Sequence, residues 1–151
     1  MKTHKTLSRI FLLLIFSSSL MGVCVAQTTN KQYQKLILEK MLKDHSIKDL
    51  VRRSDTYQLI TNDKCAWKAG TVIVIDKWTI GVHEKKQANE KMLIEFQEYE
   101  TTDKIIYVDI IFFSRGIHYR ATYLKEEEKI VELMTDVFIE GTKPPKRNFQ
   151  H

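Results

Sequence analysis

Apolar and polar positions along this chain mark out an apolar leader, one helical stretch and a succession of strands. Lys2, Lys5 and Arg9 precede an unbroken apolar run from Ile10 to Phe16. Ser17, Ser18 and Ser19 interrupt it, and Leu20 to Ala26 resumes it. Further on, Tyr33, Leu36, Ile37, Met41 and Leu42 recur at helical spacing. Lys31, Lys35, Glu39, Lys40 and Lys43 fall mostly elsewhere on the same wheel. The spacing predicts an amphipathic helix, with Thr29 or Asn30 as its cap. Ser46 and Asp49 have the form of a capping box, so a second short helical turn is expected over Ile47–Arg53.

From Tyr57 the period changes to that of strands. Tyr57–Thr61 is a short one, followed by a turn at Asn62-Asp63-Lys64. Val72–Ile75 is a continuous β-branched run. Trp78–Val82 extends it as a bent strand or returns along it as a hairpin arm. Met92–Tyr99, Lys104–Phe113, Ile117–Lys125 and Ile130–Ile139 complete the series. Their short connections favour antiparallel hairpins. Glu126 to Met134 is rich in helix formers, but Asp136 to Ile139 has strand character, so the last segment is read as a strand.

Alternation then sorts side chains onto two faces. Met92, Ile94 and Phe96, then Ile106, Val108, Ile110 and Phe112, then Ile117, Tyr119, Ala121 and Tyr123, form rows of a core face. Val131, Leu133, Val137 and Ile139 are expected to add a last row. The expected fold is α+β, with an N-terminal amphipathic helix packed on a curved antiparallel meander. In architecture alone it resembles the cystatin-like and cone-shaped rolls, and a likeness at that level does not assign a function.

Charge and composition refine this picture. The leader combines a basic start, an apolar stretch and small residues at Cys24 and Ala26, which is the form of a secretory signal cut after Ala26. An uncleaved anchor and lipidation at Cys24 are the alternatives. The chain carries 24 basic and 19 acidic side chains. Three of the basic ones and none of the acidic ones lie in the leader, so a processed chain has 21 against 19, or +2. Such a balance is no nucleic-acid footprint. The expected organisation is a signal over 1–26, one domain over 27–142 and a basic tail over 143–151.

Processing leaves Cys65 as the sole cysteine, read as a small buried side chain rather than a reactive thiol. A nucleophilic pair with His45, His83 or His118 has no sequence signature around Cys65 to support it. The histidines show no metal-ligand spacing, and the glycines stand alone rather than in a phosphate loop. Trp67 and Trp78 read as packing residues. No metal and no cofactor is expected.

The outward face of the strands holds the candidate site. Glu95, Gln97, Asp109, His118, Arg120, Thr122, Glu132 and Asp136 are placed there, with Tyr107, Ile105, Ile111 and Phe113 making it partly apolar. Asp109, His118 and Arg120 come within reach of one another across adjacent strands. A carboxylate beside an imidazole can serve proton transfer, and a guanidinium can hold an anion. Plain solvent-facing charge pairs are the simpler alternative. The expected function is an exported, non-enzymatic domain that holds another protein, as an inhibitor, an immunity-type protector or an accessory subunit. Its contact residues are Tyr107, Asp109, Phe113, His118 and Arg120, and its place is the periplasm or outside the cell. The alternative is a cone-like domain binding or converting a small molecule, with Asp109, His118 and Arg120 in its cavity. A structural envelope component is the third reading.

Overall fold

The computed structural model describes residues 29–50, 54–85, 92–113, 115–126 and 129–141. The leader, Cys24 and the tail over 143–151 lie outside these residues. The chain divides into two compact units, Met1–Gln32 and Tyr33–His151. Of the first, residues 29–32 are described, and they are helical. The second unit contains the sheet and the core.

Helix α1 is described over residues 29–43, and α2 spans His45–Leu50. Asp44 separates them and caps α2: its Oδ1 accepts from the Ser46 amide at 2.7 Å, and its carbonyl accepts from the Lys48 amide at 3.1 Å. The cap is therefore Asp44, not the expected Ser46–Asp49 box. Ile37, Leu38, Met41 and Leu42 of α1 enter the core with Ile47 of α2. Gln34 is also buried. It accepts from the Ala66 amide at 2.9 Å and donates to the Lys64 carbonyl at 2.7 Å, which ties the loop after the first strand to α1.

Among the described residues seven strands follow: β1 Thr56–Ile60, β2 Val72–Ile75, β3 Trp78–His83, β4 Leu93–Thr101, β5 Ile105–Phe112, β6 Ile117–Glu126 and β7 Lys129–Ile139. They form one sheet in the order β2-β3-β1-β4-β5-β6-β7. β2 and β3 are a hairpin closed by Asp76 and Lys77, with Asp76 at φ 48°, the positive value that a two-residue turn demands. Gly116, at φ 58°, serves the turn between β5 and β6.

The architecture corrects the expected fold class. The protein is predominantly β, and its sheet is mixed rather than an antiparallel meander. β1 lies between β3 and β4 and runs parallel to both. An α+β roll of the cystatin-like kind is therefore not what this chain forms. The reason lies in chain order. β1 pairs with strands that are not its sequence neighbours, and short-connection logic pairs only neighbours. The expected antiparallel pairing holds in the β2–β3 hairpin and in the succession from β4 to β7.

Two β-bulges then rearrange the faces. In β4, Phe96 opposes Ile110 and Glu98 opposes Asp109, so Gln97 is the extra residue. In β7, Glu132 opposes Tyr123 and Met134 opposes Thr122, so Leu133 is the extra residue. An inserted residue switches the face of everything beyond it. Val131, expected in the core, falls opposite Leu124 on the outward face and is exposed, Leu133 is exposed at the bulge itself, and Ile130 is buried instead. Ile139 keeps its place opposite the buried Ile117 but is exposed at the end of this edge strand. Glu132 falls opposite the buried Tyr123, away from the outward face where it was expected.

Candidate functional site

The outward face of β4 to β7 is built in cross-strand rows. One row runs Glu95, Ile111, His118, Phe138. The next runs Glu98, Asp109, Arg120, Asp136. A third runs Glu100, Tyr107, Thr122, Met134, and a fourth runs Ile105, Leu124, Val131. The Gln97 bulge is what brings Glu98 and Glu100 into register with this face, where simple alternation would have put Gln97.

Asp109 is the centre of the face and is only 4% exposed. Its Oδ1 accepts from His118 Nδ1 at 2.9 Å. Its Oδ2 accepts from Arg120 Nε at 3.1 Å and Nη2 at 2.8 Å. Both carboxylate oxygens are thus engaged. Burial lowers the pKa of the Arg120 guanidinium, but the hydrogen bond and charge of Asp109 outweigh this and raise it. Phe138 completes the arrangement. Its ring stacks on His118 with centroids 4.9 Å apart and planes 3° from parallel. The Arg120 guanidinium carbon lies 4.8 Å from the same ring.

The structure therefore joins three of the five predicted site residues: Asp109, His118 and Arg120. Tyr107 stands one row away, opposite Thr122. Phe113 lies beyond the end of β5, where Lys85 sits 5.7 Å from its ring centre. Phe138 and Glu98 were not anticipated. Phe138 shares its parity with Asp136, so alternation alone could have found it. Glu98 could not be found that way, because no residue type announces the bulge before it.

Glu95 marks the inner end of the face. It is 8% exposed, and Asn62 Nδ2 donates to its Oε1 at 3.1 Å. The same Asn62 amide donates to the Phe96 carbonyl at 2.8 Å. Asn62 Oδ1 accepts from the Lys64 and Cys65 amides, so one side chain closes the turn after β1 and fastens it to β4. Glu95 Oε2 is buried with no hydrogen-bond partner among the described residues.

Other groups point away from chemistry at this face. Cys65 is half-buried, and its thiol donates to the Trp67 carbonyl at 3.6 Å. Burial pushes the thiol pKa up, the opposite of nucleophile activation. An open recess of about 480 Å³ is lined by Lys40, Lys43, Asp44, His45 and Glu132, not by the predicted residues. Among the described residues, no three His, Cys, Asp or Glu side chains converge as a metal centre requires. Among the same residues, no helix is long and apolar enough to cross a membrane. Comparison with protein-family models, with curated proteins and with solved structures finds no significant match to this chain.

Proposed function

We propose that this protein is an exported binding domain that holds another protein on the outward face of β4 to β7 and performs no covalent chemistry. The observation that carries this reading is the Asp109–Arg120–His118–Phe138 assembly. Arginine and aromatic side chains supply much of the binding energy at protein interfaces, chiefly when they are already held in place. Here Arg120 is fixed from below by two bonds to a buried carboxylate and flanked by an aromatic ring. Little side-chain freedom remains to be lost when a partner docks. Tyr107, Met134 and Leu124 border it, giving the mixed apolar and polar character of a docking patch.

The same geometry argues against a proton-transfer role. Asp109 divides its two oxygens between His118 and Arg120, so the imidazole is aligned by a carboxylate that is already neutralised. The leader supports the export part of the reading. The test is affinity capture from the native envelope with tagged wild-type protein and with Arg120→Ala. The wild type is expected to retain a specific partner, and the variant to lose at least about tenfold of it, the equivalent of ~1.4 kcal/mol. Equal capture by both proteins excludes Arg120 from the site. The mass of the released protein, which begins at Gln27 on this reading, is measured in the same preparation.

A further inference from the structure

The three rows that contain the assembly are charged in one direction. They hold five carboxylates, Glu95, Glu98, Glu100, Asp109 and Asp136, against one guanidinium, Arg120. With His118 neutral their formal charge is about −4. Yet the chain as a whole has more basic than acidic side chains, 24 against 19. The acidity is therefore local to this face and runs against the charge of the molecule. The pair Glu126 and Lys129, opposed at the end of the β6–β7 hairpin, adds no net charge. Lys85, beside Phe113, is a cation at the margin.

Apolar groups are interleaved with these charges. Met134 and Val131 are exposed, and Phe138, Tyr107 and Leu124 are half-buried. A face meant only for solvent gains nothing from exposed methionine and valine beside its carboxylates. Exposed carboxylates set among apolar side chains fit a partner that carries lysine or arginine around apolar contacts. The carboxylates divide the work. Asp109 is buried and neutralises Arg120, whereas Glu98 and Glu100 are exposed and meet whatever approaches. Glu95 Oε2, buried and with no hydrogen-bond partner among the described residues, is a further unsatisfied acceptor in the first row.

We infer that the partner held on this face is a protein surface rich in lysine or arginine. This rests on the docking reading above and specifies the chemistry of its partner. Glu98 and Glu100 act as the selecting charges, while Asp109 holds the scaffold beside them. Long-range attraction of this kind speeds encounter and excludes acidic competitors, and it weakens as salt screens it.

The test uses nitrogen-15-labelled protein recovered from a secretion host expressing the full chain. The probes are a ten-residue peptide alternating lysine and leucine and its glutamate–leucine counterpart. The lysine peptide is expected to shift amide resonances at Glu98, Glu100, Arg120 and Asp136. It is expected to bind about tenfold more tightly than the glutamate peptide and to lose several-fold affinity on passing from low to physiological salt. Glu98→Gln and Glu100→Gln together are expected to abolish that preference. Equal binding of the two peptides, or shifts scattered over the whole surface, would overturn the inference. The captured native partner separates this failure from failure of the docking reading. Full retention of that partner by the double variant removes the basic-partner inference and leaves the docking face standing. Retention by Arg120→Ala as well removes both.

Discussion

Replacing Asp109 with alanine strips Arg120 and His118 of their shared acceptor at once. Were Asp109 one of the plain solvent-facing charge pairs that the sequence also allows, the change would leave the fold intact. Its burial reverses that expectation, because a half-buried guanidinium would be left uncompensated. Asp109→Ala is therefore expected to lower the unfolding free energy by about 3 kcal/mol in urea titration. A change below about 0.5 kcal/mol would return Asp109 to the ordinary surface pairs. On the opposite face, the Tyr119 and Tyr123 hydroxyls share a 2.7 Å hydrogen bond in the core. Burial pushes Tyr119 up to about 12, raises Tyr123 further, and takes Tyr99 to about 12. In the unfolded chain these phenols ionise near 10. Above that pH the unfolded state releases protons that the folded state retains, so stability falls as pH rises. Melting temperature is expected to be insensitive to these groups below pH 10 and to fall between pH 10 and 12. Ionisation of all the tyrosines near pH 10 in the native protein, read by ultraviolet absorbance, would contradict their placement.

At the scale of elements, the bulges decide which side chains serve the core. Leu133 is 55% exposed at the β7 bulge, whereas Ile130 is 5% exposed. Leu133→Ala is expected to change stability by no more than about 0.5 kcal/mol, and Ile130→Ala to cost about 2–4 kcal/mol. The reverse order would mean that β7 pairs without its bulge. This explains how far the sequence could be read. The rows in β5 and β6 were legible because the two strands pair without a bulge, so parity holds along Ile106 to Phe112 and Ile117 to Tyr123. Their register, and the meeting of Asp109, His118 and Arg120, followed from that parity. The rows in β4 and β7 were only half legible. One inserted residue, Gln97 or Leu133, changes the face beyond it, and neither residue type signals a bulge. Nor could β1's parallel partners be read, since pairing at a distance leaves no mark on local periodicity.

The whole molecule separates its two faces by task. The helices and buried aromatic side chains occupy one side of the sheet, with Trp67, Trp78, Tyr119 and Tyr123 in the core. The other side of β4 to β7 carries the ordered Arg120–Phe138 assembly and a local excess of carboxylates. A basic chain with one acidic, partly apolar face is suited to one orientation of approach. Site-directed photocrosslinking in the native host tests this division most directly. The photoreactive group is placed at Thr122 or Met134 on the outward face, and at Lys40 or His45 beside the recess on the helix side. The account predicts a discrete protein adduct from Thr122 and Met134 and none from Lys40 or His45. Adducts from the helix side alone, or from no position, would contradict it.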